Sequence, residues 1–231
     1  MSQNTLLNHV INDQLADMPI EKRLEWIWSN YPKSVIASSF GLSTVAIMDM
    51  YYRRLGIRIP VIFLDTLYHF RKTLNLVEEM QEKYNLDLRV FRPPDAKTRK
   101  EFEAKYGSNL WEQDVNRFHE LTKLRQIRKA LEGYEAWITG IRRDQSTGRC
   151  AARIIRWDAK YNLVKINPLA DWTLEQVFSY IESHQVPYNP LHDQGYLSIG
   201  DEPLTSPVGE KEHQRAGRWR GLAKSECGLH L

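Results

Sequence analysis

Two hydrophobic periods alternate along this chain. Residues 5–30 carry Leu6, Leu7, Val10, Ile11, Leu15, Ile20, Leu24 and Ile27 at helical spacing, with Pro19 as a break, and predict two N-terminal helices. Residues 34–38 (SVIAS) then form a short, partly β-branched run ending in Ser38-Ser39-Phe40-Gly41, and residues 43–55 return to helical spacing before stopping at Gly56. A second apolar run, 60–64 (PVIFL), ends in Asp65-Thr66. A helix is predicted over 68–84 and a third strand over 86–91, closed by Pro93-Pro94. Strand, helix, strand, helix, strand at these distances predict parallel βαβ units. Further along, 112–131 predicts helix, 136–141 (AWITGI) a fourth strand and 163–166 a fifth, before Asn167-Pro168. Residues 173–184 predict a helix whose Thr173 and Gln176 have the spacing of a capping box.

From Pro187 onward the periodicity fades, and prolines and glycines recur to the end of the sequence. The expected organisation is N-terminal helices over 1–30, a nucleotide-binding α/β core over 31–186 and a mobile segment over 187–231. Long irregular segments in compact domains are commonly lids or binding loops.

Composition narrows the class. With 231 residues, 42% hydrophobic and 26% charged, the chain has the make-up of a globular protein and not of a disordered one. No apolar run approaches the ~20 residues that span a bilayer, and the first residues do not read as a secretory signal. A net charge of +3 is too small to argue for bulk nucleic-acid or membrane binding. Cys150 and Cys227 are too few for a disulfide framework or a Cys-ligated metal site, so a cytoplasmic protein with free thiols is expected.

Open parallel sheets bind ligands beyond the carboxyl ends of their strands. That edge should carry Ser38-Ser39-Phe40-Gly41, Leu64-Asp65-Thr66 and Gly140-Ile141-Arg142-Arg143. The first of these is a small-residue turn able to present N–H groups to an anion, or simply a tight strand-to-helix turn. Positive charge is concentrated nearby. Residues 117–131 hold Arg117, Lys123, Arg125, Arg128 and Lys129 against Glu120, while 136–160 hold Arg142, Arg143, Arg149, Arg153, Arg156 and Lys160 against Asp144 and Asp158. Arginine forks suit phosphate and sulfate oxygens, so a small polyanion is the implied ligand. Cys227 lies five residues from the end of the sequence in a segment without periodicity. It reads either as a stray surface thiol or as a nucleophile on a mobile arm, its thiolate favoured by a cation such as His230 or a nearby arginine. Cys150, beside Ala151-Ala152 and ahead of an apolar stretch, is expected to be a small packed residue.

The segments Ser38-Ser39-Phe40-Gly41, Leu64-Asp65-Thr66, Leu110-Trp111-Glu112-Gln113, Gly140-Ile141-Arg142-Arg143-Asp144-Gln145-Ser146, Gly195-Tyr196-Leu197-Ser198-Ile199-Gly200-Asp201 and Glu226-Cys227-Gly228-Leu229-His230 occur in one order. From about residue 30 to the end, the chain closely resembles the phosphoadenosine phosphosulfate (PAPS) reductases of sulfate assimilation. The resemblance implies an adenine-nucleotide α-hydrolase-like fold and reduction of PAPS to sulfite and adenosine 3′,5′-bisphosphate. It implies Cys227 as the nucleophile, held afterwards as S-sulfocysteine. It implies Ser38, Ser39 and Gly41 in a modified phosphate loop, and Leu64 and Gly140 near the adenine. Lys123, Arg142, Arg149, Arg215 and Arg218 would meet the anionic groups. With no second cysteine close to Cys227 in sequence, release falls to thioredoxin or glutaredoxin, and a homodimer is the implied assembly.

A related branch reduces adenosine 5′-phosphosulfate (APS), usually with a [4Fe–4S] cluster on four cysteines. The matching positions here are Phe118, His119, Asp201 and Leu204, so no cluster or other bound cofactor is expected. Residues 201–205 and 215–219 look closer to that branch, which keeps a cluster-free APS reductase as the alternative. Leu67 stands where many relatives have glycine. Adenylating enzymes that cleave ATP resemble Ser-Gly-Gly-x-Asp-Ser at the first loop. Residues 39–44 instead read Ser-Phe-Gly-Leu-Ser-Thr, which argues against that chemistry. The non-enzymatic rival is a nucleotide-binding module.

Overall fold

A computed structural model describes residues 3–222, 224 and 226–230, with side chains described from residue 10 onward. Helices α1 (Gln3–Asp17) and α2 (Ile20–Asn30) break at Pro19, as the spacing predicts. Leu6 and Leu7 lie outside the described side chains. Leu15, Leu24 and Ile27 are buried, but Val10 is half exposed. The sheet holds β1 (Ser34–Ser38), β2 (Val61–Leu64), β3 (Leu88–Phe91), β4 (Ala136–Ile138), β5 (Ile155–Asp158) and β6 (Leu163–Ile166) in the order β3-β2-β1-β4-β6-β5. All neighbours are parallel except β5 and β6. The fold class is therefore α/β with a mostly parallel sheet. Chain direction across the sheet reverses at β1, between β2 and β4, where ligands of such sheets bind.

The apolar runs of β1, β2 and β4 are buried, as expected of parallel strands covered on both faces. β5 was not predicted. Its sequence, IRWD, buries its ends and exposes Arg156 and Trp157, so this edge strand reads as part of a basic stretch. β4 ends at Ile138, three residues early, and frees Thr139 and Gly140 for the site.

Helix α3 (Leu42–Asp49) continues as a π-helical turn, Met50–Arg54, and ends before Gly56 at φ +66°. α4 (Arg71–Tyr84) begins later than the spacing predicts, because residues just ahead of it lie extended and His69 bridges to Asp201. α5 (Arg99–Tyr106) was missed. It is mostly charged and buries Phe102, and Thr98 caps it by accepting from the Glu101 N–H at 3.2 Å. The single helix predicted over 112–131 is four pieces: α6 (Leu110–Gln113), α7 (Val115–His119), a π-helical turn Glu120–Leu124, and α8 (Arg125–Ala130). The break has a local cause. Asp114 leaves the helix and accepts from the Arg117 N–H at 2.9 Å, starting α7 afresh. α9 (Leu174–His184) opens with the predicted capping box: the Thr173 N–H donates to Gln176 Oε1 at 2.7 Å and the Gln176 N–H to Thr173 Oγ1 at 3.2 Å.

The segment after Pro187 has little regular structure, yet it packs across the carboxyl edge of the sheet. Asn189 donates to Thr73 Oγ1 at 2.9 Å, Thr205 bridges to Arg218, and Leu191, Leu204 and Trp219 are buried. Among the described residues, no helix is long and apolar enough to cross a membrane.

Candidate active site

The carboxyl ends of β1, β2 and β4 open on a cleft of roughly 1250 Å³, part of it open solvent, with the C-terminal segment along one side. Ser38, Ser39, Gly41, Leu64, Lys123, Gly140, Arg142, Arg149, Arg215, Arg218, Cys227 and His230 all line it. Residues 192 positions apart in sequence, from Ser38 to His230, thus meet in one place.

The turn after β1 is built by its own side chains. Ser38 Oγ donates to Thr44 Oγ1 at 2.7 Å and accepts from the Phe40 N–H at 2.7 Å, and Thr44 Oγ1 donates to the Gly41 carbonyl at 2.9 Å. Phe40 is buried and left-handed, with φ +56°, a conformation that costs a bulky residue energy and that the Ser38 contact helps to hold. Ser38 therefore braces the loop, while Ser39 is exposed at it. Gly140, just beyond β4, is a close-approach glycine. A Cβ there would sit 2.8 Å from the Thr44 methyl, 3.0 Å from Ser43 Cβ and 3.2 Å from the Thr44 nitrogen. The carbonyl of Leu64 accepts from His69 Nε2 at 2.9 Å.

Arg142 is buried, with Nη1 donating to Ser43 Oγ at 2.6 Å, Nε to Asp144 Oδ1 at 2.9 Å and Nη2 to Gln214 Oε1 at 3.0 Å. Asp144 in turn accepts from the Leu174 N–H at 2.6 Å, so one carboxylate ties this arginine to the start of α9. Arg143 points away, exposed, with Nε donating to the Ala152 carbonyl at 2.9 Å. Arg149 and Arg215 meet on Glu226, an acid among the cations of the cleft. Arg149 donates from Nε and Nη2 at 2.7 Å each and Arg215 from Nη2 at 3.0 Å. Arg218 donates to the Ile199 carbonyl at 3.2 Å and lies over the Trp219 ring, 4.5 Å from its centre, while its buried Nε has no acceptor among the described residues.

Four guanidinium groups share this small volume. Burial, then repulsion from Arg149 and Arg218, pushes Arg215 down to about 9, partly offset by Glu226 and Cys227. Arg142 and Arg218 are pushed down chiefly by burial. An anion entering here relieves that strain, so the arrangement favours a polyanionic ligand. Cys227 is half-buried at the wall of the cleft and packs against the apolar cluster that holds Phe118, Leu204 and Trp219, close enough for Arg215, Arg218 and Lys224 to interact with it electrostatically.

Two expectations need correction. His230 does not supply a cation. It is stacked on Trp137 with ring centres 5.3 Å apart, and its Nδ1 accepts from Lys165 Nζ at 3.1 Å. Burial, reinforced by Lys165 and Arg149, holds its pKa well below the usual histidine value, so the ring is neutral. The cations beside Cys227 are Arg215, Arg218 and Lys224. Cys150 is exposed on a short turn and is not packed. The alanines beside it are surface residues of the same loop.

Phe118, His119, Asp201 and Leu204, the positions that the resemblance matches to cluster cysteines, do converge. Phe118 and Leu204 share an apolar cluster with Tyr68 and Trp219, and His119 Nε2 lies 3.6 Å from Asp201 Oδ2. Two apolar side chains, a neutral imidazole and a carboxylate bonded to other groups do not fit a [4Fe–4S] cluster. Lys123, expected to meet the ligand directly, has its ammonium on Asp201.

Residues 33–207 match the phosphoadenosine phosphosulfate reductase domain. The chain is 41% identical over 223 residues to a probable phosphoadenosine phosphosulfate reductase of Schizosaccharomyces pombe, covering 95% of this chain and 83% of that one. It is 42% identical over 233 residues to an adenosine 5′-phosphosulfate reductase of Halalkalibacterium halodurans, covering 100% of both. Among solved structures, a phosphoadenylyl-sulfate reductase from Candida auris superposes with a TM-score of 0.81 at 32% identity, covering 90% of this chain and 98% of that one.

Proposed function

The chain belongs to the phosphoadenosine phosphosulfate reductase family, and from that premise we propose that it reduces PAPS to sulfite by a thiol-dependent route. The Cys227 thiolate attacks the sulfonate sulfur. A sulfur–sulfur bond forms, the S–O bond to the 5′-phosphate breaks, and adenosine 3′,5′-bisphosphate departs with the electron pair. The enzyme then holds S-sulfocysteine. A dithiol protein, thioredoxin or glutaredoxin, attacks the Cys227 sulfur and expels sulfite, and its second thiol resolves the mixed disulfide. Cys227 returns as thiolate and the donor leaves oxidised.

One observation carries this reading: the thiol of the C-terminal segment lines the same cleft as Arg142, Arg149, Arg215 and Arg218. On this reading the turn at Ser38, Ser39 and Gly41 receives phosphate, Leu64 and Gly140 border the adenine, and Lys123 and the arginines balance the charge of the phosphosulfate before attack. Exposed Cys150 is not the resolving thiol. The segment over 187–231 is the mobile part, opening to admit the donor and closing to exclude water. The same reading makes the protein a cytoplasmic homodimer.

A second substrate reading rests on the Halalkalibacterium relative, whose name specifies APS and which aligns end to end. Turnover of PAPS and of APS, side by side with reduced thioredoxin, tests both. Sulfite from PAPS in excess supports the first reading, and sulfite from APS in excess replaces it with the second. Sulfite from neither removes the function.

A further inference from the structure

Asp201 is wholly buried beside a cleft built to attract anions, an unfavourable place for a carboxylate. Its two oxygens are divided between two segments of the core. Oδ1 accepts from Thr66 Oγ1 at 2.8 Å, just beyond β2, and Oδ2 accepts from the Lys123 ammonium in the π-helical turn. Burial alone would raise this carboxyl. Lys123, helped by His119 and His69, instead holds it well below the usual aspartate range, so it is ionised. His119 is itself pushed down to about 4, by burial and then by Lys123, and is neutral. Lys123 is therefore the cation in contact with Asp201.

The backbone around Asp201 is pinned as well. His69 bridges to it, the Glu202 N–H donates to the Tyr68 carbonyl at 2.7 Å, and Thr205 Oγ1 donates to the Asp201 carbonyl at 2.8 Å. Asp201 belongs to the C-terminal segment that also carries Arg218 and Cys227. Lys123 belongs to the core and lines the cleft at 7% exposure. A lysine stem is flexible, and its ammonium is a point charge with no fork to orient it. A carboxylate partly offsets that charge, so it adds nothing to bulk attraction for an anion. What it contributes is a fixed position for the ammonium.

From this juxtaposition we infer that Asp201 is a positioning residue: it sets the Lys123 ammonium at the wall of the cleft and registers it against the segment that brings Cys227. The inference rests on the proposed transfer of a sulfonate group to Cys227. It adds a role for a residue that does not itself meet the nucleotide.

The test is the single-turnover rate of Cys227 sulfonation, followed by intact mass at saturating PAPS and, separately, APS. It is read in the wild type, Asp201→Asn, Lys123→Met, the double variant and Thr66→Val. Asp201→Asn is expected to slow the step about tenfold or more, with a much smaller change in nucleotide Kd. In the Lys123→Met background it is expected to change the rate no further, because its effect runs through that ammonium. Thr66→Val keeps both charges, loses the contact to Oδ1 along with the longer bond that Thr66 Oγ1 accepts from the Tyr68 N–H at 3.3 Å, and should slow the step severalfold. Circular dichroism checks folding in each case. Full rate in folded Asp201→Asn, or independent, multiplying losses in the double variant, overturns the inference. If Asp201→Asn does not fold, full rate in Thr66→Val overturns it. A wild type that acquires no sulfonate from either nucleotide removes the functional reading and this inference with it. A wild type that reacts normally beside an unaffected Asp201→Asn removes the inference alone.

Discussion

Arg149 grips Glu226 with both ends of its fork, Nε to Oε1 and Nη2 to Oε2, each at 2.7 Å. The partner is the residue immediately before Cys227, so the position of the thiol is fixed through a carboxylate that occupies two arginines of the cleft. Both partners are largely buried, a setting in which a paired charge matters more than at the surface. Glu226→Gln should weaken that hold and leave Arg149 and Arg215 more available to added anions. Affinity for inorganic sulfate is expected to rise several-fold by calorimetry, while alkylation of Cys227 by iodoacetamide speeds up. Unchanged values for both would mean that Glu226 neither competes with anions nor restrains the segment. Burial raises the Glu226 carboxyl, but Arg149 and Arg215 outweigh it and hold the group below its ordinary value of 4.5. Its stabilising contribution is therefore complete above that value and is lost only as pH falls through the lower one.

Cys227→Ser should abolish sulfite formation and the sulfonate adduct while nucleotide affinity stays within about twofold, because the hydroxyl is isosteric but a far weaker nucleophile. Cys150→Ser should leave the adduct in place. Mass spectrometry of enzyme incubated with nucleotide and no reductant reads both outcomes, and an adduct on Cys150 would reverse the assignment.

Arg215→Ala and Arg218→Ala should each weaken nucleotide binding by about 1–3 kcal/mol, the range for hydrogen bonds to charged groups. Titration calorimetry measures the loss. Arg218→Lys should not restore full affinity, since it keeps the charge but not the stacked planar fork over Trp219. Full affinity in all three variants would separate these side chains from the ligand.

Gly140→Ala places a methyl group 2.8 Å from the Thr44 side chain and 3.2 Å from its backbone nitrogen. Either the turn after β1 moves or the end of β4 does. Overpacking of this kind costs about 1–3 kcal/mol, so the thermal midpoint and nucleotide affinity should both fall. A fall in stability with affinity intact would show that the turn yields without harm to the site.

Lys165 is buried on β6 and packed over Trp137, 4.8 Å from the ring centre. Burial, with Arg156 next, pushes it down to about 7 from an ordinary 10.5. Above 7 the folded chain sheds this proton while the unfolded chain keeps it, so stability from this group rises between pH 7 and 10.5 and is flat below. Denaturant midpoints at pH 7 and 9 should show an increase for the wild type, on the order of 2 kcal/mol. Lys165→Met should flatten it, and an equal increase in the variant would exclude Lys165 as its source.

The parts legible in the sequence share a physical reason. β1, β2 and β4 are covered on both faces and therefore spelled as apolar runs, and the cations that follow β4 announce themselves by position. α5 exposes most of its side chains and β5 the two in its middle, so charge masked their periods, and only residues such as Ile155 and Phe102 reach the interior. In the site, a search for groups that attract an anion collects arginines and passes over Glu226 and Asp201, whose value lies in where they hold those cations. His230 looked like a cation because its environment lies far away in sequence. Trp137 and Lys165, 93 and 65 positions earlier, make it neutral.

Arg23, on α2, donates to the carbonyls of Leu15, Ala16 and Pro168 and to the Asp171 carboxylate at 2.6–3.0 Å. The loop it clasps supplies the Ala170 carbonyl that accepts from the Arg143 N–H at 2.9 Å, one residue from Arg142. The opening pair of helices is thus a buttress on the rear wall of the anion pocket. A version trimmed to begin at residue 31 would strip the clasp from that loop and slacken the very guanidinium on which the pocket's geometry turns.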